Sequence, residues 1–524
     1  MIRAIMMRRF RLMLSLVVVA SVGCPAMVSS ARIVLPPGFT RLDAAIGLSL
    51  PTAIAFAPDG RMFVAQQNGI VRVFLNGVEQ PQPPASPQPF IDLSAEVGSD
   101  GYRGLLGMAL DPNFVSNRRV YLAYTVDPIA GPPEEPDTVP TFNRVVRYEG
   151  TAASNGNIAD PATRTVLIGA TIAEGIPVCW AHTIDCLRFG RDGMLLVSCG
   201  DGGHYEFADG GGNDPACFQP PYFAREQDLG AFRAQYLNSM NGKLLRIDPN
   251  TGLGLPSNPY WDGDGTHARS RIWAYGFRNP FRFAVRPGPP TSAEQGPGSV
   301  FIGDVGWDNW EEINVAAEGG RNFGWPCREG LGATPTYPTM TPPNGGCATI
   351  NTPANPGALT DPLVTWHHNA PGMSVPPGFV GANAIGGAFY DRTAYPPAYQ
   401  GGLFFGDFVH GWIKVLRVDA ANNLINFFDF ADAAGSPVDI AIHPITGELH
   451  YVSIFSNRVY RMAYSGPGPG DIDGNGSVGV NDLLAVVTTW GPCFGGPGVC
   501  PTDIDGSGVV EVNDLLLVIT NWGS

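Results

Sequence analysis

The sequence predicts a mainly β chain: a six-bladed β-propeller followed by a small α-helical module. Three observations predict it. A strand–turn–strand phrase recurs six times between residues 38 and 464. Gly 67 and Pro 49 together exceed a fifth of the 524 residues, with no G-X-Y period, which suits many short strands joined by tight turns. A shorter motif then appears twice, 32 residues apart, at the C-terminal end. Hydrophobic residues at 44% and charged residues at 15% exclude a disordered chain and supply ample apolar area for a core.

Residues 1–31 read as a signal peptide. Arg3, Arg8, Arg9 and Arg11 form a positive head, Leu12 to Val22 an apolar stretch, and Ser29-Ser30-Ala31 a small-residue cleavage site. Gly23-Cys24 offers a lipoprotein-processing alternative, with Ser21 a poor residue for it. The chain is expected to be secreted, and no later segment is apolar enough for a transmembrane helix. The formal charge of −15 argues against nucleic acid as a partner, because there is no basic excess to release counterions.

The propeller spans residues 33–464. Its six phrases begin at Ala55-Phe56-Ala57-Pro58-Asp59-Gly60, Met108-Ala109-Leu110-Asp111-Pro112, Leu187-Arg188-Phe189-Gly190-Arg191-Asp192-Gly193, Phe283-Ala284-Val285-Arg286-Pro287, Ala384 to Tyr390, and Ile440-Ala441-Ile442-His443-Pro444. Each leads into a second apolar strand. Further strands carry a basic residue, as in Val71-Arg72-Val73 and Leu244-Leu245-Arg246. One small sheet cannot bury both faces alone, whereas a ring of sheets can.

Residues 465–470 form a Gly/Pro linker, and 471–524 carry the duplicated motif. The tail holds seven acidic residues and no Lys or Arg. Oxygen ligands at loop positions 1, 3, 5 and 12, with Gly at 6, wrap a Ca²⁺ ion. The first copy supplies Asp471, Asp473, Asn475 and Asp482, and the second Asp503, Asp505, Ser507 and Asp514. Each loop runs into an apolar helix.

Setting Cys24 aside leaves eight cysteines, an even number that favours disulfides in an exported chain. Eight allow 105 pairings. Nearness suggests Cys179 with Cys186, Cys199 with Cys217, Cys327 with Cys347, and Cys493 with Cys500.

The candidate chemistry lies in the propeller. His182 precedes one strand of a hairpin, and Asp201 leaves the partner strand in Gly200-Asp201-Gly202-Gly203. Such an Asp fixes the imidazole tautomer and raises its basicity. Gly276-Phe277-Arg278-Asn279-Pro280 adds a cation suited to an anionic cofactor or a developing oxyanion, or else to a blade-edge ion pair.

These segments, together with Gly104-Leu105-Leu106-Gly107-Met108, Gly242-Lys243-Leu244-Leu245-Arg246, Asp304-Val305-Gly306-Trp307 and Arg321-Asn322-Phe323-Gly324-Trp325-Pro326, resemble the soluble glucose/sorbosone dehydrogenase family. That family consists of six-bladed propellers using pyrroloquinoline quinone (PQQ) and Ca²⁺. The resemblance implies His182 as general base, Asp201 as its orienting carboxylate, Arg278 and Asn279 as quinone contacts, and the carbonyls of Gly306 and Trp307 as calcium ligands. It implies hydride removal from a sugar or polyol. Tyr102 stands where sugar-oxidising members carry a glutamine, Asp391 where a lysine is expected, His410 at a basic position, and Ala181 at the Asp before the His. Arg103 or Arg392 would have to replace the lost positive contacts. The tail resembles the dockerin module, which implies two calcium sites and a cohesin-like or cell-surface partner. The other reading is a non-catalytic glycan- or protein-binding propeller, as in Hedgehog-interacting relatives.

Overall fold

The computed structural model describes residues 33–524 except 81–86, 128–139, 221, 467–469, 475–476, 494–499, 506 and 524. The stretch read as a signal peptide, with Cys24, the middle of the linker, and Asn475 lie outside the described residues.

The recurrent phrases form antiparallel hairpins. Pro51–Phe56 pairs with Met62–Gln66, Leu105–Leu110 with Arg119–Val126, and Ile184–Phe189 with Leu195–Cys199. Arg282–Val285 pairs with Val300–Asp304, Ala384–Phe389 with Leu403–Asp407, and Pro437–Ile442 with Leu449–Ser453. The turns explain the Asp-Gly signature. Gly60 and Gly193 sit at φ +89° and +74°, a left-handed conformation that costs glycine nothing. Each hairpin adds two further strands or more to make a sheet of four to six strands.

The first strands of these sheets adjoin one another in a closed ring. Pro51–Phe56 neighbours Leu105–Leu110, which neighbours Ile184–Phe189, then Arg282–Val285, Ala384–Phe389, Pro437–Ile442 and Pro51–Phe56 again. This is a mainly β propeller. The last sheet takes its outer strand from the start of the chain: Phe39–Ala45 pairs antiparallel with Arg458–Tyr464.

Between sheets the core is rich in aromatic rings. Phe39 meets Tyr395, Tyr399 and Phe430 edge-on at 4.8–5.3 Å. Where the first strands converge, the filling is ionic. Buried Arg282 donates to the carbonyls of Thr52 (2.7 Å), Leu106 (3.1 Å) and Asp185 (2.7 Å). Asp439 accepts from Arg188 at 2.8 Å and from the Ile54 amide at 2.9 Å. A planar guanidinium with five donors suits this hub of otherwise unpaired carbonyls.

The cysteine pairing differs from the nearest-neighbour expectation. Cys179 bonds Cys217, while Cys327–Cys347 and Cys493–Cys500 form as expected. Cys186 and Cys199 are buried free thiols, so neither the 179–186 nor the 199–217 bridge exists. The reason is the pleat. Cys186 packs with Leu196 and Leu244 on one face of its sheet, and Cys199 with Val197 and Leu245 on the other. No helix among the described residues is long and apolar enough to cross a membrane.

Candidate active site

His182 lies just before Ile184–Phe189, at φ +56°. A non-glycine residue held there costs about 1–3 kcal/mol, so the surroundings must impose it. Gly200 is part of the reason. A Cβ added at Gly200 would stand 2.5 Å from His182 Cβ and from its carbonyl oxygen, so a larger residue would push the imidazole away.

The His182 Nδ1–H donates to Asp201 Oδ1 at 2.7 Å. Because a carboxylate can only accept, the proton sits on Nδ1 and Nε2 keeps its lone pair. Asp201 is fully engaged. Its Oδ1 also accepts from the Gly203 amide (2.8 Å), and its Oδ2 from Trp325 Nε1 (2.7 Å). Its own amide donates to the Arg278 carbonyl at 2.8 Å. Buried Arg233 donates to the carbonyls of Asp201 (2.9 Å) and Gly202 (2.7 Å). Lys243, also buried, donates to the carbonyls of Arg233, Ala234 and Asn241 at 2.7–2.9 Å. The dyad therefore stands on a backbone clamped from below.

Burial works to raise the Asp201 carboxyl, but His182, Arg278 and the Gly203 amide outweigh it and hold the group below the ordinary carboxylate value. Burial, then the Arg278 charge, push the His182 imidazole below its usual value despite Asp201. The arrangement is a neutral, oriented base beside a fixed cation.

Arg278 is buried, with its guanidinium 5.7 Å from the centre of the Trp325 ring. Its Nη1 donates to the carbonyls of Val305 (3.1 Å) and Gly306 (2.8 Å). Asp304 accepts from the amides of Arg278 (3.1 Å) and Asn279 (2.7 Å), which locks the turn carrying both side chains. Asn279 Oδ1 is buried without a hydrogen-bond partner. An orphaned acceptor beside a guanidinium fits a ligand that carries both an N–H and acidic groups, and PQQ does. At 306–307 the donors are backbone carbonyls, the oxygen type that a hard divalent cation takes. The Gly306 carbonyl already faces Arg278, and the amides of Trp307 and Asp308 are tied to Glu329.

Tyr102 is 53% exposed, meets Tyr205 edge-on at 5.4 Å, and lies within electrostatic reach of Arg278. Arg103 is buried, its Nη2 3.5 Å from the Cys179 carbonyl. Arg392 pairs with Asp391 at 3.3 Å. His204 stacks on Phe207 at 3.8 Å and meets Trp180 at 4.2 Å, which gives the site an aromatic wall on the loop stapled by Cys179–Cys217. Sequence reasoning assigned no role to Trp325, Arg233 or Lys243. Trp325 and Lys243 lie in segments that carry the family resemblance, whereas Arg233 left no signal.

In the tail, carboxylate oxygens of Asp471, Asp473 and Asp482 lie within 4.8 Å of one another, and so do those of Asp503, Asp505 and Asp514. Helices Val480–Thr488 and Val512–Thr520 follow the two loops. Asp482 accepts from the amides of Ile472 (2.7 Å), Asp473 (3.0 Å) and Gly479 (2.8 Å). Asp514 repeats this with Ile504, Asp505 and Glu511. Ser507 is tied back to Asp503 through its amide at 2.9 Å.

The family model described as Glucose / Sorbosone dehydrogenase matches residues 48–435. The chain belongs to the glucose/sorbosone dehydrogenase family. Among its relatives, the HIPL2 protein of Arabidopsis thaliana is 26% identical over 433 residues, covering 74% of this chain and 55% of that protein. The Hedgehog-interacting protein of Mus musculus is 25% identical over 255 residues, 46% of this chain and 30% of that protein. The match thus spans about half of the first relative's length and less of the second. The PQQ-bound aldose sugar dehydrogenase of Streptomyces coelicolor superposes with a TM-score of 0.53 at 18% identity, over 82% of this chain and 99% of that one. In sequence the chain is also 28% identical over 282 residues to the aldose sugar dehydrogenase YliI of Escherichia coli, 53% of this chain and 59% of that protein.

Proposed function

We propose that the chain is a secreted quinoprotein oxidoreductase that oxidises a sugar or related alcohol. The observation that carries this reading is the His182–Asp201 pair, 2.7 Å apart and buried beside Arg278. PQQ, when bound, supplies the quinone that accepts hydride from the alcohol carbon. Arg278 and Asn279 would hold it. His182 Nε2 takes the hydroxyl proton as the carbon gives up its hydride, so the alcohol leaves as a carbonyl compound. Asp201 keeps the imidazole in the accepting tautomer and offsets the imidazolium charge. Arg278 stabilises negative charge on the acceptor. Tyr102, Tyr205 and Phe207 offer ring faces for the C–H side of a sugar.

Each sheet of four or more strands is read as one blade, six in all. The three disulfides support an oxidising, extracytoplasmic location. Calcium is read at the tail triads and, as the family resemblance implies, at the carbonyls of Gly306 and Trp307. The tail is read as a dockerin-like tether, with a cohesin-like or surface partner.

The test is a quinone absorbance titration of the purified protein, followed by dye reduction over an aldose panel. Saturable binding with turnover lost in His182→Ala supports the reading, and no quinone binding at micromolar concentration overturns it. A second reading, a non-catalytic binding propeller, is favoured by the Gly306 carbonyl already facing Arg278 and by Tyr102, Asp391 and His410 replacing polar or basic contacts. Glycan binding without turnover would select it.

A further inference from the structure

A cavity lies away from the His182 dyad, at the seam where the first and last sheets meet. It encloses about 290 Å³ and is lined by residues of Phe39–Ala45, the first hairpin and the last sheet. That is near the lower end of small-ligand pockets, about 300 Å³.

Its lining mixes acceptors with donors, Arg461 and His443 among the latter. His450 Nδ1–H donates to the Glu448 carbonyl at 3.2 Å, so Nε2 is left as an acceptor. Burial first, and then His443 and Arg461, lower the His450 imidazole to about 3, so it is neutral at working pH. The Glu448 carboxylate accepts from Arg461 at 2.8 and 3.1 Å, and Asp43 accepts from Arg458 at 2.7 Å. Phe56 sets a ring 5.0 Å from His450, and Asn76 adds an amide.

Three ligand classes are disfavoured. Asp43, Glu448 and His450 do not bring three ligand atoms within 4.8 Å of one another as the tail triads do, so one metal ion cannot satisfy them. Asp43 and Glu448 are each balanced by a guanidinium, Arg458 and Arg461, so the lining holds no excess charge to draw in an anion. An apolar ligand would leave His450 Nε2 unpaired, at about 1–3 kcal/mol. What remains is a compact neutral molecule with many hydroxyl donors and one C–H face for Phe56. We propose that this seam pocket binds a single sugar ring or polyol, in a site separate from the dyad and independent of any turnover there.

The test is calorimetric titration of the full-length protein, without quinone, against glucose, galactose, mannose, xylose and sorbitol. Wild type and His182→Ala should bind at least one of them with the same Kd, about 1 mM by the usual scale for such small contacts. Glu448→Gln and Asp43→Asn should each weaken that binding about tenfold. Asp43→Asn leaves the Glu448–Arg461 pair intact, so a folding defect in one variant does not blur the outcome. Circular dichroism checks both. The proposal is overturned if no sugar gives a saturable signal, if all variants bind alike, or if binding disappears in His182→Ala and survives in Glu448→Gln.

Discussion

At the scale of single residues, the dyad depends on a carboxylate with no spare capacity. Asp201→Asn would place an amide where Nδ1–H now finds an oxygen, and its N–H₂ form selects the wrong tautomer. In the proposed reaction kcat/KM should fall about 10²- to 10⁴-fold while quinone absorbance titration is unchanged. Unaltered turnover would remove His182 from the base role. The pH profile has a sign. A base lowered below 6.5 by burial and Arg278 stays deprotonated further into acid, so the acidic limb of kcat/KM should lie below that of a free imidazole. Arg278→Gln should move the limb upward. His450 gives a stability prediction of its own. Its folded value, about 3, lies below the unfolded one, so below about pH 6.5 the unfolded chain binds more protons. Melting temperature should therefore fall as pH drops from 7 to 5, at up to about 1.4 kcal/mol per pH unit, and His450→Phe should flatten the fall.

At the scale of elements, the hairpins were legible because their signal is local. Alternating apolar residues around Asp-Gly turns fix both the strands and the bend, and Ala55 faces Phe63 in the register the phrase implies. The dyad was legible for the same reason: it spans the open end of one hairpin, where the Gly200 amide meets the Thr183 carbonyl at 2.7 Å. The cysteines were not, because nearness in sequence does not tell which face of a sheet a side chain takes. Cys186 and Cys199 sit on opposite faces, and Cys217 returns to Cys179 across a sequence separation of 38 that includes the whole hairpin. Arg233 and Arg282 were invisible too, since buried cations that bind backbone carbonyls look in sequence like ordinary surface charges. In the native chain from residue 33 onward, a thiol reagent should find no reactive cysteine, and after unfolding in denaturant it should find two. Fast native labelling would contradict the burial of both.

At the scale of the molecule, two kinds of stabilisation should separate. If the tail triads hold calcium, chelation should erase the helical signal of 480–488 and 512–520 while the propeller's β signal and melting transition persist. A tail unchanged by chelator would leave the acidic loops as turns without metal. The propeller is closed instead by pairing between its two ends: Arg41 donates to the Tyr451 hydroxyl at 3.3 Å across 410 positions. Such a latch cannot engage until nearly the whole propeller sequence has been made, so its first strand waits as an unpaired edge. A waiting edge can be claimed by the wrong molecule. Crowded refolding should then yield interlocked dimers that trade N-terminal strands, and an added peptide of residues 33–46 should suppress them in favour of the monomer.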